Sequence, residues 1–388
     1  MNRFKVGAHG RTPDKKSLIS GNMTISIGRH IESIEPYKPG KPLEELEREL
    51  GIKDAIKLAS NENPLGPSKK ALAALKKGSL DLHRYPEGSG RRLREAIGQK
   101  HKLKAEQVIL GNGSDEIMDL AAKTFLEPGD EAILGDQTFA IYRISVTAHH
   151  GISVRVPLRD GRFDLEAMAA RLTPLTRLVF ICNPNNPTGT MITRRELDGL
   201  LKHLSPNALV VMDEAYAEYA DDPEFPNTVE DVRRGAPVLV LRTFSKMYGL
   251  AGLRIGYGLS TPEVIESMNR VRLPFNTNSL AQAAALAALT DEAHVARSLR
   301  VNREGRRYLS ESFKALDLRF LPSQANFVYV DTGRNGVAVY ARLLKKGVIV
   351  RHIQGSWLRI SIGRPAENRR FVKALAEVLK NKKGKDAV

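Results

Sequence analysis

Six short apolar runs alternate with helix-patterned segments between Glu106 and Leu259: VIL at 108–110, AIL at 132–134, ISVRV at 152–156, LVFI at 178–181, LVVM at 209–212 and VLVLR at 238–242. Runs that are apolar along most of their length belong to strands covered on both faces. Their alternation with helices predicts βαβ units around a mostly parallel sheet sandwiched by helices, an α/β fold. Ligands of such sheets sit off the carboxyl ends of the strands. The residues that follow each run are therefore where chemistry is expected.

A chain of 388 residues exceeds one compact core, so a large domain with a smaller companion is expected. Beyond the sheet region, Leu280–Leu289 reads as a helix and a charged helix runs from Val295 toward Pro322. Phe327–Val330 and Leu358–Ile362 read as strands of an α+β unit closed by a helix from Glu367 to about Lys380. The predicted division is an unstructured extension over 1–30, an N-terminal arm partly joined to the small domain over 31–59, a large domain over 60–290 and a small domain over 291–388.

The net charge of +16 raises the question of nucleic acid, but basic residues are interleaved with acidic ones and form no stripe. A general attraction for small anions is the expected consequence. No uninterrupted apolar run approaches the roughly 20 residues of a membrane helix, and the basic, polar N-terminus does not have the apolar stretch of a secretory signal. A lone cysteine, Cys182, fits a reducing compartment, so a cytoplasmic protein is expected.

Behind VIL comes GNGSDEIMDL at 111–120, where two glycines precede Ser114 and Asp115 at a helix start. Free amides and the positive end of the helix dipole suit a phosphate there, although an ordinary capped turn accounts for the segment taken alone. Behind LVFI comes CNPNNPTG at 182–189, a turn stiffened by two Asn-Pro steps in which Asn186 offers an amide to a ligand oxygen. Asp213 ends LVVM, with Tyr216 three residues on. A carboxylate at the end of an apolar strand needs a cationic partner: a metal, a lysine or a protonated heterocyclic nitrogen. The nine histidines fall in no metal-ligand spacing, which leaves no metal site.

VLVLR delivers Thr243, Ser245 and Lys246 to the same sheet edge, and the loop continues to Arg254. A lysine amine forms a Schiff base once its pKa falls. Arginine and hydroxyls grip phosphate, and aspartate keeps a pyridine nitrogen protonated. Those are the needs of pyridoxal 5'-phosphate. Neither a dinucleotide-binding G-x-G-x-x-G nor a G-x-x-x-x-G-K-[ST] phosphate loop occurs at a strand end.

In this order the chain carries YKPG at 37–40, KLASNENPLGPS at 57–68, RYPEG at 84–88, GNGSDE, CNPNNPTG, DEAY, RTFSKMYGLAGLRIGY at 242–257, RLPFNTNSLAQ at 272–282, QANF at 324–327, VIVR at 348–351 and LRISIG at 358–363. The series resembles the fold type I aminotransferases of class I and II, and within them the subgroup that acts on histidinol phosphate. The resemblance implies that Lys246 holds the cofactor and shuttles the proton, that Asp213 pairs with the pyridinium nitrogen, and that Tyr216 and Asn186 bond its phenolic oxygen. Arg254, Thr243, Ser245 and the amides of Ser114 and Asp115 would hold the phosphate. Tyr85 would reach in from a second subunit, which implies a homodimer. Phe139, in DQTFAIY, stands where the family usually has a stacking tyrosine, and Gln137 where it usually has proline.

For the substrate, Arg359 matches the arginine that receives a carboxylate, Arg351 and Tyr37 match positions that contact a distal phosphate, and Asn63 lies in the substrate-facing loop. The bulky Trp357, beside a short HIQGSW loop, bears on how the distal end fits. The implied reaction passes an amino group between a small-molecule donor, L-histidinol phosphate, and 2-oxoglutarate in histidine biosynthesis. Rivals on the same scaffold are an aromatic amino-acid aminotransferase, a threonine-phosphate decarboxylase and a regulator fused to a DNA-binding module. For the last, the roughly thirty-five residues before YKPG are too few.

Overall fold

The computed structural model describes residues 26–380. Most of the expected N-terminal extension, residues 1–25, lies outside the described residues. Its last part differs from expectation, because Arg29–Glu32 forms a helical turn. The His30 ring lies 3.9 Å from that of His150, and this contact gives the short segment a partner.

After a two-residue strand β1 (Ile56–Lys57), the chain builds one seven-stranded sheet from β2 (Val108–Gly111), β3 (Glu131–Gly135), β4 (Ile152–Val156), β5 (Thr176–Cys182), β6 (Leu209–Asp213), β7 (Val238–Thr243) and β8 (Gly256–Leu259). The spatial order is β2-β8-β7-β6-β5-β3-β4. From β7 to β4 every pairing is parallel, whereas β8 runs antiparallel to both β2 and β7. All six apolar runs became strands. β8 was not foreseen, since GYGL carries two glycines and no strand-like alternation. Its glycines have a packing reason: a Cβ on Gly256 would lie 2.6 Å from the Ser114 amide nitrogen, so only glycine lets β8 pass beneath that helix start.

The helix Ser114–Phe125 buries Ile117, Met118, Leu120 and Ala121 against the sheet, with Asp115 and Glu116 in its first turn and Lys123 in its last, the order the helix dipole favours. The larger core is formed by β2 to β8 together with the helices and loops packed on the sheet.

A second core gathers Leu309, Phe313, Val328, Val330, Leu343, Leu358, Ile360 and Phe371, with Leu58 from the N-terminal segment. Its sheet contains β9 (Phe327–Asp331), β11 (Arg351–Gln354) and β12 (Trp357–Ser361) in the antiparallel order β11-β12-β9, and β10 (Val348–Ile349) pairs in parallel with β1. The helix Glu292–Ala315 links the two cores, starting on an Asp291 cap that accepts from the His294 amide. Its buried residues, His294, Ser298, Asn302, Gly305, Leu309 and Phe313, recur every three or four positions and so lie along one face.

Candidate active site

A cavity of roughly 290 Å³ opens off the carboxyl ends of β5, β6 and β7, lined by Cys182, Asn186, Asp213, Tyr216, Thr243, Ser245 and Lys246. Ser114, Asp115, Phe139 and Arg254 line it from the large unit, Arg351 and Arg359 from the small one, and Tyr37 from the N-terminal arm. Two of the expected site residues do not line it.

Asn63 is the first of these, and the expectation for it is corrected. Its amide donates to the Met247 carbonyl at 2.7 Å and to Ser298 Oγ at 3.0 Å, and its Oδ1 accepts from the Leu65 amide at 3.0 Å. Its side chain turns inward, to the chain beside Lys246, to the helix Glu292–Ala315 and to its own loop. From this loop Ser60, Asn61 and Glu62 face the cavity, and Asn61 is held in the left-handed region at φ 55°. Its amide donates to the Tyr216 hydroxyl at 3.0 Å, its Oδ1 accepts from Ser361 Oγ at 2.9 Å and its carbonyl accepts from Asn326 Nδ2 at 2.9 Å. Both asparagines stand in SNENP, two positions apart, where alternation would place them on one side, so no local signal separated them.

Tyr85 is the second. It is 82 % exposed and stacks on Phe275 at 4.7 Å between ring centroids, away from its own chain's cavity.

Lys246 Nζ donates to the Ser60 carbonyl at 3.1 Å. Burial, followed by the nearby Arg359 charge, pulls its pKa down to about 8. Asp213 is buried, and burial pushes its carboxyl up to about 6 against the opposing pull of two hydrogen bonds, from the Tyr142 hydroxyl at 2.6 Å and the Ala215 amide at 3.2 Å. Among the described residues it has no cationic partner. Tyr142 stands in the DQTFAIY segment with Phe139, but sequence spacing gave no reason to pair it with Asp213. Burial likewise holds the Tyr216 hydroxyl protonated, with its pKa raised.

At the start of the helix Ser114–Phe125, Arg254 reaches Asp115 at 3.2 Å and Ser245 Oγ at 3.4 Å. Gly113 has φ +81°, and a Cβ on it would stand 2.5 Å from an Arg254 nitrogen. Glycine there is what lets the guanidinium lie against the helix start. Asp115 thus balances the arginine and reduces its opposition to an incoming anion.

Arg359 is buried. Its terminal nitrogens donate to Asn186 Oδ1 and to the Ala59 carbonyl, while its Nε has no partner among the described residues. Burial lowers its pKa, so an anionic ligand would relieve a desolvation penalty already present. Arg351 is its cross-strand partner in the β11–β12 register, donates to the Lys38 carbonyl and lies 5.9 Å from the Tyr37 ring. Both guanidiniums line the cavity, and the Arg351 charge adds to the lowering of the Arg359 pKa. Trp357 does not line the cavity. It stacks on Tyr329 at 4.6 Å, and Gln137 donates to the Tyr329 hydroxyl at 2.9 Å, so this departure from the family pattern has a structural use.

A buried carboxylate without a cation, a lysine whose proton is loosened and an arginine beside open helix amides are the three groups that pyridoxal phosphate requires, and the residues present fit it. Among the described residues no group of His, Cys, Asp and Glu could hold a metal ion, and no helix is long and apolar enough to cross a membrane.

Residues 53–375 match the family Aminotransferase class I and II. The chain is 52 % identical over 354 residues to the histidinol-phosphate aminotransferase of Moorella thermoacetica, covering 90 % of this chain and 92 % of that one. It is 48 % identical over 355 residues to histidinol-phosphate aminotransferase 2 of Pseudomonas aeruginosa, covering 90 % and 96 %. A crystal structure of histidinol-phosphate aminotransferase from Sinorhizobium meliloti in complex with pyridoxal-5'-phosphate superposes with a TM-score of 0.85 at 29 % identity, covering 92 % of this chain and 98 % of that one.

Proposed function

Because the chain belongs to the class I and II aminotransferases and has their fold type I architecture, we propose that it transfers the amino group of L-histidinol phosphate to 2-oxoglutarate, giving imidazole acetol phosphate and L-glutamate in histidine biosynthesis. The observation that carries the substrate assignment is the cross-strand pair Arg351 and Arg359, both lining a cavity that also holds Lys246 and Asp213.

When bound, pyridoxal phosphate supplies an aldehyde for an amine and a protonated ring that accepts electron density. Lys246 Nζ would hold that aldehyde until the donor's amine displaces it, and the freed, neutral amine would take the proton from the amine-bearing carbon of the donor. Asp213 would keep the ring nitrogen protonated, with Tyr142 keeping Asp213 anionic and oriented. Tyr216, fixed by Asn61, and Asn186 would bond the phenolic oxygen, and Phe139 would stack on the ring. Arg254, Thr243, Ser245 and the amides of Ser114 and Asp115 would hold the cofactor phosphate. Arg359 receives the acceptor's carboxylate, and Arg351 with Tyr37 receives the donor's phosphate.

A homodimer is part of this reading, supported by the exposed Tyr85–Phe275 stack, in which Tyr85 is left 82 % exposed by its own chain. Within it Tyr85 of each subunit would complete the other's phosphate site. The cytoplasm is the compartment that the chemistry suits.

The test is kcat/KM for histidinol phosphate against phenylalanine, each with 2-oxoglutarate. Preference for phenylalanine would move the assignment to an aromatic aminotransferase, and carbon dioxide release without an acceptor would move it to a decarboxylase.

A further inference from the structure

Between the helix Glu292–Ala315 and the chain leading into β9 lies a second, much smaller cavity, lined, beside Asn63 whose amide is already bonded to Met247 and Ser298, by four polar side chains: Tyr219, Ser298, Asn302 and Asn326. Each is more than nine-tenths buried. The amide orientations are fixed, because Asn302 Nδ2 donates to the Ala325 carbonyl at 3.3 Å and Asn326 Nδ2 to the Asn61 carbonyl at 2.9 Å. That leaves Oδ1 of each as the open atom, and among the described residues neither has a donor. Ser298 Oγ accepts from Asn63 Nδ2 at 3.0 Å, which leaves its own proton to give. Burial keeps the Tyr219 hydroxyl protonated, against the opposing pull of the adjacent Asn326 side chain, so it too is a donor.

Buried polar atoms with room between them are bridged by solvent when the space is polar and large enough. The cavity is about 10 Å³, close to the room one water requires. A water molecule has two protons to give and two lone pairs to fill. The site presents two acceptors and two donors.

We propose that this cavity is a built site for a single water molecule, which donates to Oδ1 of Asn302 and of Asn326 and accepts from the hydroxyls of Ser298 and Tyr219. The water ties the helix that joins the two cores to the chain that carries the active site. Asn326 holds the Asn61 backbone, and Asn61 holds the Tyr216 hydroxyl. Ser298 holds Asn63, which holds the Met247 carbonyl next to Lys246. Asn302 and Tyr219 are therefore positioning residues that act on Tyr216 and Lys246 through the bridge.

The existence of the site does not depend on the substrate assignment. A crystal structure of the enzyme with pyridoxal phosphate, at a resolution that orders solvent, should show one full peak at hydrogen-bonding distance from all four side chains. No peak, or an Oδ1 turned onto a protein donor, would overturn the site. Asn302→Leu removes one acceptor and should lose the peak. At one fixed pH it should also change the ratio of the two absorbance bands of the bound cofactor, which the Tyr216 contact tunes. A lost peak with an unchanged ratio would overturn the bracing role. Should Asn302→Leu fail to fold, Tyr219→Phe removes one donor with little change of shape and is read in the same two ways.

Discussion

Tyr142 and Asp213, 71 residues apart in the chain, meet at 2.6 Å with the tyrosine hydroxyl donating to Asp213 Oδ2. Hydrogen bonds to charged groups contribute about 1.5–3 kcal/mol. Tyr142→Phe should therefore lower kcat about tenfold or more, at roughly 1.4 kcal/mol per tenfold. Asp213→Asn should lose much more, since a neutral amide cannot hold a pyridinium proton. Steady-state kinetics of the two variants against the parent check the order. An unchanged kcat in Tyr142→Phe would reduce that bond to a packing role.

The raised pKa of Asp213 has a thermodynamic sign. Its folded value, about 6, lies above the ordinary 3.8, so without cofactor the folded state binds the extra proton between those values. Stability of the cofactor-free protein should fall as pH rises from about 4 to about 6, relative to Asp213→Asn, which has no such proton. Melting temperatures of both proteins across that range measure the difference. A constant difference would mean that Asp213 is paired with a cation in the free protein.

Lys246 has the opposite shift. With its pKa lowered from 10.5 to about 8, the neutral amine becomes abundant well below the usual range. Covalent attachment of pyridoxal phosphate to the cofactor-free protein should speed up as pH rises and level off above about 8, followed by the growth of visible absorbance. Lys246→Ala should fold, bind the cofactor without covalent attachment and lose transamination, because no other base is in reach. Turnover near the parent rate would refute the assignment.

Arg351 should separate donors. Histidinol phosphate carries a dianion that the guanidinium would meet directly, while phenylalanine offers none. Arg351→Ala should lower kcat/KM for histidinol phosphate something like ten- to a hundredfold, given about 1.5–3 kcal/mol for such a bond, and leave phenylalanine turnover level or higher. The comparison is made at one ionic strength because the chain's net charge of +16 makes anion binding salt-dependent. Equal losses for both donors would assign Arg351 to structure.

Asn63 should behave as a buried brace. Replacing it with alanine leaves the Met247 carbonyl and Ser298 without its amide, at a cost of about 1–3 kcal/mol in stability. The urea midpoint should fall, while the ratio of kcat/KM for the two donors stays fixed. A shifted ratio at an unchanged midpoint would restore a substrate-facing role.

The strands and the chemistry of their ends were legible in the sequence because both are local. An apolar run such as LVVM declares a buried strand by its own residues, and the polar residue that follows, Asp213, is carried to the sheet edge wherever the strand goes. The same holds for Lys246 behind VLVLR and for Ser114 behind VIL. Pairings across the chain were not legible. Whether Asn61 or Asn63 faces the cavity depends on backbone angles set by contacts with Ser361 and Asn326, three hundred and two hundred and sixty-five residues away from Asn61. That Tyr142 supports Asp213, that Arg351 stands beside Arg359, and that β8 runs against its neighbours were likewise decided only when the sheets assembled. Local pattern tells which side chains a strand delivers, and packing between distant segments decides which of them meet.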